Sequence, residues 1–439
     1  MIAAIRSPKA AVALRAHAAQ PPPLLKRQMT FLAAALFIVS LGYGALMPVL
    51  PTWLAQFSAP SDAAAVARHV GFLSGAYAAG VLIGAPLWGY ASDRIGRRRI
   101  LIIGMAGFVA SMLLLLLAPS GGGLWFIYAL RTAAGLCVAA VIPVVPAIVA
   151  EHTPEAKRAR RFAWLGAASL VGFLFGPGLI ALAEGLAGRF DAGAAVASAD
   201  LVIIGSAALG AWIMMGLAWT LPARPEPSGS AEAATMAGKS RNLFALLALS
   251  GMAMFVLSGF EVGIVLQGQQ HVGLTTQQIS LMFAACSLAM LAVNALLFFT
   301  SALEKVLPHA LIAVGMLLGM AGLAILAVHE VTGWMYLGIS LTGAGIGLVP
   351  PVIAYLAAGT SPRHLGATMG GIAAAAGLGQ VLGSSAGGWM FGEVAQSSFA
   401  WLSLPLILTL AVVLLRPAWG SRQSAVRDGI TRHAGGAAK

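Results

Sequence analysis

Two ionisable residues stand where the chain has almost nothing else polar. Arg131 falls inside the apolar run 124–150, and Glu261 inside 243–267. A charge enclosed in apolar surroundings costs about 3 kcal/mol or more unless it is paired, hydrated or sheltered in a cavity. Counting helical rise, Arg131 lies about 10 Å in from one end of its run, and Glu261 in the outer third of its run on the same side. A carboxyl group sheltered from water is suited to taking up and returning a proton, and a guanidinium nearby would tune that exchange. Two blander readings stay open. Arg131 can snorkel towards water, and Glu261 can sit just past the apolar zone, because Gln267 and Gln269 soon follow.

A second concentration of chemistry is the stretch Gly89–Leu101, GYASDRIGRRRIL. Gly89 would allow close helix approach, Asp93 would end one apolar run, and Arg94, Arg97, Arg98 and Arg99 would form a cationic hinge with Gly96 between them. These arginines also set topology, which is the plainer reading. Tyr43, Asn294 and Gln380 are polar at middle depth, suited to lining a cavity or to bonding one helix to the next.

Other patterns carry no chemistry. Gly383–Gly387 reads GSSAG but has no strand before it, and Gly238-Lys239-Ser240 lacks the phosphate-loop glycine, its place held by Ala233. Cys137 and Cys286 are isolated in apolar runs, so neither a disulfide framework nor a metal site is expected. An enzyme would need acids, histidines or cysteines clustered at one face; His152 beside Glu151 is the nearest approach. The expectation is no enzyme, no cofactor and no metal.

The elements that must position these residues follow from composition. Of 439 residues, 59% are hydrophobic and 9% charged, and the mean hydropathy is +0.89. Soluble domains carry about a quarter charged residues, so this chain expects lipid around it. With about 20 apolar residues per crossing, the spans fall at 30–57, 70–91, 100–118, 124–150, 162–182 and 201–221, then 243–267, 279–300, 310–328, 334–358, 366–391 and 399–416. That is an all-α integral membrane fold of twelve transmembrane helices. Residues 1–29 form a basic tail, 30–222 a six-helix bundle, 223–242 a linker, 243–416 a second bundle and 417–439 another basic tail.

Of the 26 Lys and Arg, all but Arg68, Arg131 and Arg189 fall in the tails, the linker or the loops on the same side. Positive loops stay in the cytoplasm. Both termini are therefore expected there, in a multi-pass inner membrane protein. The net charge of +12 belongs to this pattern, so no nucleic acid is expected as partner. The run 30–57 is too long for a cleaved signal and is followed by many more.

The halves repeat. At an offset of 208, Gly135 falls on Gly343, Pro143 on Pro351 and Pro154 on Pro362; at 211, Asp93-Arg94 falls on Glu304-Lys305. Parallel repeats of this kind mark rocking transporters with a site between the halves. Arg131 has Ile339 as its counterpart, so it is not part of the shared scaffold.

The Gly89–Leu101 stretch resembles the loop 2–3 signature of the major facilitator superfamily. Leu41–Pro51, LGYGALMPVLP, resembles a first-span pattern of its twelve-span drug–proton antiporters. RTAAG at Arg131–Gly135 is similar to the family's fourth-span motif. GAASLVGFLFGPGLI, with Gly172, Gly176 and Pro177, resembles the fifth-span antiporter motif. That match is partial, since Ile180 and Ala181 stand where two further glycines are usual. The resemblance implies a major facilitator fold of two pseudo-symmetric six-helix bundles. It implies that Asp93 latches a cytoplasmic gate against helix eleven and a loop arginine, and that Arg131 serves proton transfer. It further implies proton-coupled efflux of a small amphipathic compound, a drug or a secreted metabolite such as a siderophore, by a monomer. First spans of such antiporters often carry an acid; this one has none. The alternative is an uptake carrier for a nutrient, against which the first- and fifth-span motifs argue.

Overall fold

The computed structural model describes residues 23–54, 63–117, 123–153, 155–187, 194–222, 241–300, 306–360 and 365–415. The tails as far as residue 22 and from residue 416, and linker residues 223–240, lie outside that range. Within hydrocarbon every backbone N–H and C=O needs a partner from its own segment. The apolar runs accordingly form helices, with no strand among the described residues.

The first half holds α1 (Lys26–Leu46), α2 (Ala63–Ile95), α3 (Arg97–Leu115), α4 (Gly123–Val138), α5 (Glu155–Ala187) and α6 (Ala194–Thr220). The second holds α7 (Arg241–Leu266), α8 (Thr276–Thr300), α9 (Pro308–Val328), α10 (Thr332–Thr360), α11 (Leu365–Val394) and α12 (Ser398–Leu415). Nine helical stretches among the described residues are long and apolar enough to cross a membrane. One of these, Gly371–Leu414, contains both α11 and α12, and the shorter apolar stretches Gly123–Val138 and Trp164–Ile180 complete the twelve.

Several rods outrun the expected spans, α2 and α5 by about ten residues each. Hydropathy marks the hydrocarbon, whereas a helix continues through the headgroup layer until its backbone is interrupted. Interruptions occur where proline removes a donor. After Leu46 the chain tightens into a 3₁₀ turn at Met47–Val49, around Pro48, before a short helix Leu50–Leu54. The fourth rod breaks at 139–143, ahead of a second helix Val144–Glu151. Its repeat partner α10 runs unbroken through Pro350 and Pro351, so the two halves share a proline frame without sharing the break. α7 ends in a π-helical turn, Gln267–His271.

Each half has its own core. Leu32, Ile38, Ile100, Phe108, Val145 and Leu217 belong to the first, and Val256, Phe260, Met282, Ile312, Leu323 and Phe399 to the second. Within each half the tightest seams need glycine. A Cβ on Gly172 or Gly176 of α5 would strike the α1 backbone at Phe37 and Leu41, and one on Gly379 or Gly383 of α11 would strike the α7 backbone at Gly251 and Phe255. Such small-residue seams let membrane helices touch backbone to backbone. Large apolar side chains, among them Trp125, Trp219, Phe299 and Leu408, stand exposed on the outside, as a lipid-facing surface requires.

The arginine-rich ends of the helices lie on one face. There Gln28 Nε2 donates to the Thr220 carbonyl (2.8 Å) and Arg27 sits over the Trp219 ring. At the far face the halves share a third apolar cluster: Met47, Leu50, Leu54, Val66, Val70, Leu73 and Ile127 from the first, Val262, Leu266 and Phe391 from the second. α2 and α11 meet there glycine to glycine, at Gly71 and Gly388. Gln269 Nε2 donates to the Pro48 carbonyl (3.2 Å), Gln270 Nε2 to that of Ala63 (3.0 Å), and Arg68 pairs with Glu393 at 3.6 Å. This state is shut at the far face.

Candidate functional site

One helical turn inward of the shared apolar cluster, the same helices turn polar. Tyr43 is four residues before Met47, Tyr77 four after Leu73, Arg131 four after Ile127, and Glu261 immediately before Val262. A helix repeats its facing every 3.6 residues with a 5.4 Å pitch, which explains why Tyr43, Tyr77 and Arg131 lie a turn from the cluster, while Glu261 is joined to them by its bond from Tyr43.

Both buried charges are sheltered there, Arg131 at 1% exposure and Glu261 at 7%. Neither snorkels to water. The Tyr43 hydroxyl donates to Glu261 Oε2 (3.2 Å), and Gln380 Nε2 of α11 donates to the Tyr43 oxygen (3.3 Å). A three-residue chain thus crosses between the halves, ending on the acid. Arg131 takes another route, its guanidinium carbon 4.6 Å from the centre of the Tyr77 ring. Tyr77 in turn lies against Tyr43, with ring centres 5.2 Å apart. Phe173 of α5 stacks on the Tyr43 ring at 6.0 Å and meets Phe283 of α8 edge-on at 6.5 Å.

Arg131 is therefore not an ion-pair partner of Glu261. The contacts that link them run through the rings of Tyr77 and Tyr43. All three guanidinium nitrogens are buried without a hydrogen-bond partner among the described residues. A cation over a ring face is stabilised by about 2 kcal/mol when desolvated, which offsets part of the cost of its burial. Tyr43, Phe173 and Gln380 keep partial exposure at this depth, as walls of a cavity do.

Asn294 does not join this group. Its Nδ2 donates to Met290 O (2.8 Å) on its own helix and to Gly347 O (3.4 Å) on α10, so it bonds one helix to the next. Tyr77 and Phe173 do join it, although the sequence offers no sign of this beyond an aromatic among small residues, a pattern more common in ordinary cores.

At the arginine-rich face, Gly96 starts α3 with φ 101°, a backbone that glycine adopts without strain. Arg97 Nε donates to Glu151 Oε1 (2.7 Å), tying the start of α3 to the end of the broken fourth rod. Arg98 donates to the Ala218 carbonyl of α6, and Arg94 stacks on Tyr90 at 4.3 Å. The side chain of Asp93 lies outside what the structure describes. One correction follows. Gly89 does not serve close helix approach, because a Cβ there would meet nothing within 4 Å. One partner of Arg97 lies inside its own half, Glu151, an acid that the sequence marks only as the neighbour of His152. In the fifth rod Gly172 and Gly176 make the α1 seam and Pro177 is buried inside the helix, while Gly178 touches nothing within 4 Å.

The family described as Major Facilitator Superfamily matches residues 32–302 and 243–432. The class B tetracycline resistance protein of Escherichia coli is 40% identical over 138 residues, 31% of this chain and 33% of that protein. The class D protein of Salmonella ordonez is 27% identical over 393 residues, 86% of this chain and 95% of its own length. The quinolone resistance protein NorA of Staphylococcus aureus is 27% identical over 155 residues, 35% and 38% of the two chains. Matches to the class B protein and NorA thus span little more than a third of those relatives. Among solved structures, the human organic anion transporter MFSD10 superposes with a TM-score of 0.66 at 19% identity, covering 90% of this chain and 100% of that one. A D-xylose–proton symporter gives 0.68 at 17%, covering 88% and 96%. These two show a shared fold and nothing of substrate.

Proposed function

Because the chain belongs to the Major Facilitator Superfamily, we propose that it is a secondary transporter that expels an amphipathic drug or secreted metabolite in exchange for protons. The kinship with tetracycline and quinolone resistance proteins supports efflux over uptake. The observation that carries proton coupling is the enclosed Glu261, bound by Tyr43 from the opposite half.

In this reading the protein works as a monomer in the inner membrane, with both termini, the linker 223–242 and the arginine-rich face in the cytoplasm. The bundles 30–222 and 243–416 rock about the level of Tyr43 and Glu261. In the state seen here the outer face is shut by its apolar cluster and by Arg68–Glu393. Substrate would enter from the cytoplasmic side and meet Tyr43, Phe173 and Gln380. When the outer face opens, Glu261 takes a proton from outside and substrate leaves. When it shuts again, the carboxyl group returns the proton to cytoplasmic water. Asp93 and Arg97 act at the inner gate, and Arg131 biases the affinity of the acid through the Tyr77–Tyr43 rings.

The test is uptake of a fluorescent amphipathic dye into inverted vesicles under an imposed proton gradient. Glu261→Gln should abolish gradient-driven uptake while leaving a folded protein in the membrane, and Arg131→Ala should lower it. Full activity in both variants would remove these residues from coupling.

A further inference from the structure

A groove of about 420 Å³ runs between α1 and α6 on the flank of the first bundle, at its arginine-rich end. Its size falls in the range of about 300–1,000 Å³ typical of small-molecule sites. Gly216 forms its floor: a Cβ there would run into the Phe31 ring, so only glycine lets that ring lie against the α6 backbone. Trp212, Met215 and Trp219 follow one another at helical spacing and stand more than half exposed. Trp212 lies against Phe31 with ring centres 5.6 Å apart. The walls are therefore apolar and turned away from the bundle for about 10 Å along α6. At the helix ends Gln28 ties α1 to the Thr220 carbonyl, and the guanidinium carbon of Arg27 lies 5.8 Å from the centre of the Trp219 ring.

Arg27 has no acceptor for its N–H groups among the described residues, and neither α1 nor α6 beyond Asp200 carries an acid. A guanidinium over a ring keeps its N–H edge for oxygens, and its fork fits a phosphate. Tryptophan gathers at the headgroup layer of a membrane. We infer that the groove binds an anionic phospholipid, its phosphate gripped by Arg27 and one acyl chain lying along Phe31, Trp212 and Met215. Basic pockets between transmembrane helices take such headgroups. In the orientation proposed above the lipid belongs to the cytoplasmic leaflet; the inference itself needs only that α1 and α6 cross a bilayer. A zwitterionic headgroup would set its ammonium beside Lys26 and Arg27, with no wall carboxylate to receive it. A free phosphate would leave the apolar walls uncovered. The tail 1–22 carries Arg6, Lys9 and Arg15 and no acid, so it brings no partner for Arg27.

The test titrates the purified full chain in detergent with dioleoylphosphatidylglycerol or dioleoylphosphatidylcholine and reads the affinity of the first retained lipid by native mass spectrometry. The wild type should hold the anionic lipid about tenfold more tightly, the range expected of hydrogen bonds to a charged group. Arg27→Gln should lose most of that preference. Lys26→Gln, one residue away but outside the lining of the groove, should keep it. Trp219→Ala removes the exposed ring beneath the guanidinium and should weaken the anionic lipid severalfold, which supplies the same reading if Arg27→Gln folds poorly. Inorganic phosphate at millimolar concentration should leave the lipid bound. Equal affinity for the two lipids overturns the inference on the wild type alone, and hands the groove to another occupant such as the linker with Glu226 and Glu232. Equal losses in Lys26→Gln and Arg27→Gln, or none in either, would replace the groove with diffuse attraction to the basic face. Displacement by phosphate would reduce the site to one for a small anion.

Discussion

The hydroxyl of Tyr43 on the first helix donates to the carboxylate of Glu261 on the seventh, across the boundary between the two halves. Any motion that parts the halves at this level must break or re-aim that bond. If Glu261 carries the proton as proposed, Tyr43 links its protonation to the position of the other half, and Gln380 holds the tyrosine oxygen from the second half.

Tyr43→Phe keeps the rings against Tyr77 and Phe173 and deletes the donor. A hydrogen bond to a charged group contributes about 1.5–3 kcal/mol, so gradient-driven transport should fall about ten- to a hundredfold. Protein yield and thermal stability should stay close to wild type. Unchanged transport in proteoliposomes would show that the halves are coupled elsewhere.

The glycines of the fifth rod divide into those the α1 seam needs and those it does not. Gly172→Val and Gly176→Val drive methyl groups into the backbone of Phe37 and Leu41, and such overpacking costs about 1–3 kcal/mol. Both should lower the melting temperature of the detergent-purified protein clearly. Gly166→Ala, Gly178→Ala and Gly89→Ala meet open space and should leave it within a degree or two of wild type, about what exposed substitutions do.

Much of this was legible beforehand, for physical reasons. A bilayer fixes the length of every crossing, so twelve apolar runs give twelve rods, and an arginine or glutamate inside a run is conspicuous. Contacts between runs have no such signature. The partner of Arg97 is Glu151, fifty-four residues away and beside a histidine, and only the break in the fourth rod brings it there. Tyr77 reads as core packing until the ring of Tyr43 and the guanidinium of Arg131 are placed on either side of it. The motif glycine Gly89 and the seam glycine Gly172 look alike in sequence; what each faces decides its role, and facing is set by helix rotation that apolar content on all sides leaves unspecified.

The Arg97–Glu151 pair is partly exposed, where ion pairs are worth about 0.2–1 kcal/mol. Arg97→Glu and Glu151→Arg should each reduce transport severalfold, and the combined swap should recover most of it. Recovery in the swap, measured with dye uptake in inverted vesicles, separates a positional pair from two charges that act independently. A swap as impaired as the worse single variant would discard the pair.

The outer closure offers the sharpest check of alternating access, because its polar part can be removed without touching its apolar part. Ala67 is fully buried in the shared cluster, so Ala67→Cys reports opening by its reaction with a membrane-impermeant maleimide added to intact cells. Arg68–Glu393 is a half-exposed pair and contributes about 0–1 kcal/mol; the Gln270 bond to Ala63 adds about 0.5–1.5 kcal/mol. Removing both with Arg68→Ala and Gln270→Ala should raise the labelling rate about two- to seventyfold, if the outer face opens as a unit. Concentrated salt screens the exposed pair, so it should speed labelling of the otherwise wild-type protein and add little to the double variant. Labelling that ignores both substitutions and salt would mean that the apolar cluster alone holds the outer face shut, and that the driving ligand must pull apart Met47, Leu73 and Leu266 without help from any charge.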